Sequence, residues 1–370
     1  MKTRREFIKK ASAGALLGSG LLASCTKKSS SGPAIQTGQV LKWKLCTTWP
    51  KNFPALGTGA NFLAEQIQSL SGGRIEVSVY GDGELVPALG VFDAVSRGTA
   101  ELGHAASYYW KGKHEATQFF AAVPFGLNAQ EMNAWLQFGG GLQLWDELYA
   151  SFNLKPFPAG NTGTQMGGWF RKDIGTVSDF KGLKMRIPGL GGEVLRELGA
   201  TVVTLPGGEI FQSLQSGAID ATEWIGPYND LAFGLHKAAS NYYWPGWQEP
   251  GATLECFVNR EAYEALPSDL KAIVATACEA TNMRILSEFS ARNNEALQTL
   301  VQKHNVKLKR FSDQIIKALA KVSNNIVTDI AAKDSFSKKV FASFDKFRKQ
   351  SIAWGNVAEG GISQARTLVF

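Results

Sequence analysis

The sequence predicts an α/β protein of two lobes with long helices towards its C-terminus. Three observations carry that expectation. Strand-like and helix-like runs alternate between residues 40 and 108, a second alternation begins near residue 160, and the chain from residue 267 onward reads as long helices. After an N-terminal address and a tether, about 330 residues remain, enough for two domains of ordinary size.

Residues 40–48 alternate around Leu41, Trp43 and Leu45 and predict a first strand. Residues 59–70 follow as an amphipathic helix, with Phe62, Leu63, Ile67 and Leu70 on one face. Residues 74–80 are a second strand, residues 86–98 a helix and residues 101–108 a third strand. This rhythm predicts a mostly parallel sheet, in which ligands sit beyond the carboxyl ends of the strands. Thr47, Thr48, Trp49, Tyr108, Tyr109 and Trp110 all fall at such ends.

A helical stretch at 127–152 is broken at Gly139, Gly140 and Gly141. Residues 166–170 and 183–187 are strand candidates, and residues 193–198 and 208–216 helix candidates. Residues 267–304 predict one long helix, because Pro267 suits a first turn and no breaker follows. Residues 313–330 and 335–354 are further amphipathic helices.

The first 25 residues read as an export address. Arg4 and Arg5 sit in Thr-Arg-Arg-Glu-Phe-Ile-Lys, a twin-arginine pattern, and the apolar stretch after them is too short to span a bilayer. It ends in Leu22, Ala23, Ser24 and Cys25, which is the pattern of a lipoprotein cleavage site with Cys25 acylated. An ordinary signal cut nearby, with Cys25 incidental, is the alternative. Residues 26–38 are mostly Lys, Ser, Gly and Pro, and read as a flexible tether. The expected location is the periplasm, with the membrane reached only through a lipid anchor.

The formal charge of +7 belongs largely to the address. That segment holds Lys2, Arg4, Arg5, Lys9 and Lys10 against Glu6, so the remainder carries 34 basic and 31 acidic residues, a surplus of +3. No basic stripe with interleaved aromatics occurs, which argues against nucleic acid as a partner. Cys46, Cys256 and Cys278 are far apart and odd in number, and read as buried thiols. The four histidines are scattered and suggest neither a zinc site nor a Ser-His-Asp set.

The chemistry concentrates between residues 160 and 250. A lone Arg186 ends a strand-like run, Glu223 precedes Trp224, and Glu249 follows Gln248. One fixed cation and two carboxylates in aromatic, turn-rich surroundings suggest a pocket for a small anion, with room for a metal ion. Each residue has a plainer reading. Arg186 could serve a structural ion pair, Glu223 a cap, Trp224 and Tyr108 the core, and Asn161 a turn. Asp220 reads as structural. Gly189, Gly191 and Gly192 invite a phosphate-loop reading, but no Gly-Lys-Ser/Thr follows.

Three segments carry a family resemblance: Gly160-Asn161-Thr162-Gly163-Thr164-Gln165, Lys181-Gly182-Leu183-Lys184-Met185-Arg186-Ile187-Pro188, and Leu214-Gln215-Ser216-Gly217-Ala218-Ile219-Asp220. With them the chain resembles the extracytoplasmic solute-binding subunit of a TRAP transporter, of the DctP type, over the body from about residue 41. The longer context is most similar to the branch that binds 2-oxo acids such as pyruvate. The resemblance implies a periplasmic-binding-protein-like fold with the ligand cleft between lobes. On it, residues 39–163 with 250–292 would form one lobe, residues 164–249 with 293–334 the other, and residues 335–370 a C-terminal helix.

The same resemblance implies the roles. Arg186 would clamp the ligand carboxylate, assisted by Gln165, Asn161 and Tyr108. Gln165, Glu223, the Trp224 carbonyl and Glu249 would hold a metal cation. All are oxygen donors, which suits Na⁺ or Ca²⁺ and not Zn²⁺ or Cu²⁺. Implied partners are a small carboxylate, the membrane permease subunits and a second copy of the chain, because in this branch the last helix is exchanged between subunits. The expectation is a binding protein and not an enzyme. The rival from another class is an exported metal-dependent lyase or hydrolase on small acids, which two Glu beside a cation could serve. A ligand-sensing lipoprotein would use the same pocket.

Overall fold

A computed structural model describes residues 40–369. The address, the tether and Cys25 lie outside the described residues. The first lobe begins with β1 (Leu41–Thr47), α1 (Leu56–Leu70), β2 (Ile75–Tyr80), α2 (Val91–Ser96) and β3 (Leu102–Ala105). β1 pairs in parallel with both β2 and β3, as the βαβαβ rhythm predicts. Next come α3 (Ala129–Phe138), α4 (Gly141–Ala150) and β4 (Leu154–Asn161). The predicted break between the two helices occurs at Gly139 and Gly140, the latter left-handed with φ 86°.

The second lobe contributes β5 (Gly168–Phe170), β6 (Lys184–Arg186), α5 (Gly189–Glu197), β7 (Thr201–Val203), α6 (Gly207–Ser216), β8 (Ala221–Thr222), α7 (Pro227–Phe233) and β9 (Asn241–Trp244). The chain then returns to the first sheet as β10 (Thr253–Asn259), turns through α8 (Arg260–Glu264) and runs along α9 (Ser268–Gln298). β11 (Lys307–Arg310), α10 (Asp313–Ala332), α11 (Ser335–Val357) and α12 (Glu359–Arg366) complete it.

Two sheets result, in the orders β2-β1-β3-β10-β4 and β11-β9-β5-β8-β6-β7. Both are mixed. β10 runs antiparallel to β3 and β4, and β5 antiparallel to β8 and β9. The expected parallel pairing therefore holds for the opening β1-β2-β3 unit, and for β7-β6-β8 and β9-β11 in the second sheet, but not for β10, β4 and β5. The strand predicted over 101–108 also stops at Ala105, and residues 107–110 coil into a 3₁₀ turn that carries Tyr108 and Tyr109 out of the sheet.

Apolar side chains cover both faces of each sheet. Leu63, Ile67, Val274 and Ala277, from α1 and α9, pack on one face of the first sheet. Phe92, Trp135, Trp145 and Phe344, from α2, α3, α4 and α11, pack on the other. Met185, Val194, Leu195, Ile315 and Leu319 close one face of the second sheet. A fourth cluster joins Trp49, Phe53 and Tyr108 of the first lobe to Trp169, Trp224 and Tyr242 of the second. α9 packs against α1 and β4 of the first lobe and α7 of the second, so it ties the lobes together. Cys46, Cys256 and Cys278 are free and buried.

Candidate functional site

The site forms where the ends of β6, β8 and β4 meet the 3₁₀ turn after β3. Arg186 is the last residue of β6 and pairs in register with Thr222, so Glu223 emerges beside it. Arg186 Nη1 donates to Glu223 Oε1 at 2.6 Å and to the Glu223 carbonyl at 3.1 Å. Its Nε donates to the Leu205 carbonyl at 3.2 Å, and its guanidinium lies 5.2 Å from the Trp224 ring. Nη2 faces the Tyr109 hydroxyl at 3.5 Å, a long contact, and is the nitrogen left with capacity for a ligand. The side chains of Arg186 and Glu223 are each 1% exposed.

Gln165 and Glu249 arrive from two loops that press together. Gln165 N donates to the Glu249 carbonyl at 3.1 Å, and Gln165 Nε2 donates to Glu249 Oε2 at 2.8 Å. Only glycine fits at 246, since a Cβ there would stand 2.1 Å from the Gln165 carbonyl oxygen. Tyr108 reaches in from the first lobe against Gly189, whose φ of 62° starts α5 in a conformation that L side chains avoid. Asn161 ends β4 and is fully buried. Its amide nitrogen donates to the Gly251 carbonyl and Thr253 Oγ1, both at 3.3 Å, and its oxygen accepts from Gly163 N at 2.9 Å. Those bonds brace the crossing between lobes. Asp220 is structural as expected, exchanging bonds with the Lys184 backbone at 2.7 Å and 3.0 Å.

Burial sets the electrostatics. It pushes the Glu223 carboxyl up to about 7, against the opposing pull of Arg186 and with help from the charge of Asp230. Burial raises Glu249 well above the usual carboxylate range, and the neighbouring charge of Glu223 adds to the rise. Burial also works against the charge of Arg186, but Tyr109, Glu223 and Tyr108 outweigh it and the guanidinium stays protonated. One guanidinium therefore does not compensate two buried carboxylates.

Three buried oxygens in this place have no hydrogen-bond partner: Gln165 Oε1, Glu223 Oε2 and Gln248 Oε1. All three are acceptors. Leaving an acceptor buried and unpaired costs on the order of 1–3 kcal/mol. A hard cation would satisfy all three and offset the surplus negative charge, so the residues fit a metal of the Na⁺ or Ca²⁺ kind. No cluster of three or more His, Cys, Asp or Glu exists among the described residues, so any such site draws on amide and backbone oxygens. Two further residues belong to the site. Gln248, 1% exposed, stands between Trp247 and Glu249, and a lone glutamine carries no sequence signal of its own. Tyr109, which the sequence places at a strand end, meets Arg186.

The family described as bacterial extracellular solute-binding protein, family 7 (DctP), matches residues 45–334. A monocarboxylate 2-oxoacid-binding periplasmic protein of Nostoc sp. is 48% identical over 341 residues, which span 91% of this chain and 92% of that protein. A TRAP transporter solute-binding protein of Bordetella bronchiseptica is 38% identical with a TM-score of 0.88, over 90% of this chain and 98% of that one. It is a dimer of mixed occupancy, one site holding copurified calcium and picolinate. A TRAP periplasmic solute-binding protein of Pseudoalteromonas atlantica, with bound sodium and pyruvate, is 40% identical with a TM-score of 0.86, over 88% and 99% of the two chains.

Proposed function

We propose that this chain, which belongs to the DctP family of bacterial extracellular solute-binding proteins, captures a small 2-oxo monocarboxylate together with a metal cation and delivers it to TRAP permease subunits. One observation carries the reading: a buried Arg186 beside three orphaned acceptor oxygens, where the two lobes meet. Arg186 Nη2 would take one carboxylate oxygen of the ligand. Gln165, Glu223, the Trp224 carbonyl and Glu249 would hold the cation, which would supply positive charge for the ligand's oxygens. Tyr108 would close the pocket from the first lobe. Asn161 would act mainly by holding the crossing at Gly251 in place.

The family and its relatives are binding proteins, which supports a site that holds the acid without turning it over. Contacts across the cleft support a closed, ligand-retaining form. Phe53 stacks on Phe233 with ring centroids 4.2 Å apart, Asn229 Nδ2 donates to the Pro54 carbonyl at 3.0 Å, and Lys111 pairs with Glu193.

Export by the twin-arginine route and acylation at Cys25 remain part of the proposal, and would confine the protein near its permease. So does the homodimer. Val340 and Phe344 of α11 pack on their own chain, whereas Trp354 (70% exposed), Val357 (74%) and Ile362 (57%) present an apolar face.

Isothermal titration of ligand-stripped protein with pyruvate, with and without Na⁺ or Ca²⁺, tests the function. Tight, cation-dependent binding at one site per chain is expected. Turnover of the acid, or no binding of any small 2-oxo or 2-hydroxy acid under either cation, would overturn it.

A further inference from the structure

The geometry points to Gln248 as an additional oxygen ligand of the cation, and through it to Ca²⁺ as the ion this chain takes. The inference rests on the cation-dependent reading above and deepens it. The relatives do not decide the ion, since one holds calcium and another sodium.

Gln248 lies immediately before Glu249 and is 1% exposed. Its Nε2 donates to the Met166 carbonyl at 2.8 Å, which fixes the orientation of the amide. The amide head also lies beside the Glu223 carboxylate, whose charged form it favours. A Cβ at Gly191 would stand 2.8 Å from Gln248 Cβ, so the side chain is held from the α5 side as well. With the amide so fixed, Oε1 is left buried and without a donor. A brace alone would leave that oxygen unpaired for no return.

Its orphaned neighbours decide what it awaits. Gln165 Oε1 and Glu223 Oε2 are also acceptors without donors. All three accept, so a cation placed among them would satisfy what no further acceptor could. Gln165, Glu223, the Trp224 carbonyl, Glu249 and Gln248 supply protein oxygens, and a chelating 2-oxo acid adds two more. The shell then reaches about seven, inside the range of six to eight that Ca²⁺ takes. Charge agrees once cation entry ionises both carboxyls, which burial otherwise keeps towards the protonated form: Arg186, Glu223, Glu249 and a monocarboxylate then sum to −2, which Ca²⁺ neutralises and Na⁺ does not.

The test measures the cation directly on full-length, metal- and ligand-stripped protein, with Ca²⁺, Na⁺ and the luminescent Ca²⁺ substitute Tb³⁺ as probes. Gln248→Met keeps the volume and removes the oxygen. Gln248→Asn keeps the amide but withdraws it by one methylene, and serves if the first variant misfolds. Ca²⁺ is expected to bind the wild type more tightly than Na⁺, and about 10- to 100-fold more weakly to either variant. Tb³⁺ luminescence lifetimes in H₂O and D₂O should show about one more coordinated water in the variant. A merely structural Gln248 would not change that count. Equal Ca²⁺ affinity and equal water count in wild type and variants would overturn the assignment. So would pyruvate binding supported equally by Na⁺, while leaving the binding function intact. Absence of any cation and any acid binding in the wild type would bring down both.

Discussion

Glu255→Gln should stabilise this protein, and by more at high pH than at low. Glu255 sits in the middle of β10, fully buried, with no cation beside it. Trp110 Nε1 donates to its Oε1 at 2.6 Å, and its Oε2 lies 2.8 Å from the Tyr149 hydroxyl. Burial raises its pKa to about 8, and these two bonds only partly oppose the rise. The folded pKa lies above the unfolded one, so the native state holds a proton that the unfolded chain releases. Stability therefore falls as pH rises through the window from 4.5 to about 8, and is flat outside it. At about 1.4 kcal/mol per pKa unit, the full penalty over that interval is ~5 kcal/mol, of which about 4 kcal/mol accrues between pH 5 and pH 8.5. Glutamine mimics the neutral acid, since its oxygen can accept from Trp110 and its nitrogen can donate to the Tyr149 oxygen. Urea unfolding of both proteins across pH 5 to 8.5 reads the difference. The variant should gain about 4 kcal/mol on the wild type over that range, or roughly 5 °C in Tm. A difference that stays constant with pH, or that grows in favour of the wild type, would refute the reasoning. Asp230, raised by burial to about 6, and Glu223 shape the pH dependence of both proteins alike and cancel in the comparison.

Other outcomes follow from the site and the cleft. Arg186→Ala removes the counter-charge of a buried Glu223, which costs on the order of 3–5 kcal/mol. Calorimetry should show both a lower Tm and loss of pyruvate binding, and Arg186→Lys should restore stability better than affinity. Lys111→Ala breaks a partly exposed ion pair between the lobes, so ligand affinity should fall about 2- to 5-fold at low salt and converge with wild type at high salt. Replacing Trp354 and Val357 by Ser removes exposed apolar surface without touching Phe344. Light scattering should then show monomer where wild type is dimeric, and an unchanged state would exclude this face as the contact.

The sequence displayed some parts of this molecule because their pattern and their role coincide. Lys184, Met185 and Arg186 form a strand that ends in a buried charged side chain, and Gly217 caps α6 with φ 78° ahead of Asp220. Other parts gave no periodic signal. In β10, Thr-Leu-Glu-Cys-Phe-Val-Asn is buried on every residue because helices cover both faces of the sheet, so no alternation survives and a buried Glu breaks the apolar run. β7 and β8 have three and two residues, too few to show a period, whereas β5 falls inside the strand expected over 166–170. Gln248 was invisible for a different reason. An amide becomes a candidate ligand only when its donors are known to be absent, and that is a property of the fold around it.

The charge argument makes a last demand on Glu249. With Glu223 and Glu249 both ionised, Arg186 and a monocarboxylate bring the buried site to −2, whereas burial favours the protonated carboxyls until a cation enters. Cation entry must therefore release protons from these carboxyls, and acid and cation bind most favourably together. Glu249→Gln reduces the sum to −1 and preserves an oxygen at the position. Its amide oxygen can still accept from Gln165 Nε2, so Gln165 keeps its orientation. If charge neutralisation selects the ion, the variant should lose most of its preference for Ca²⁺ and accept pyruvate with Na⁺ alone. Titrations of pyruvate in each cation would read this as a change in the ratio of two affinities, which a general loosening of the site does not alter. An unchanged ratio, with both affinities lowered together, would show that the shape of the oxygen shell selects the ion and that net charge does not.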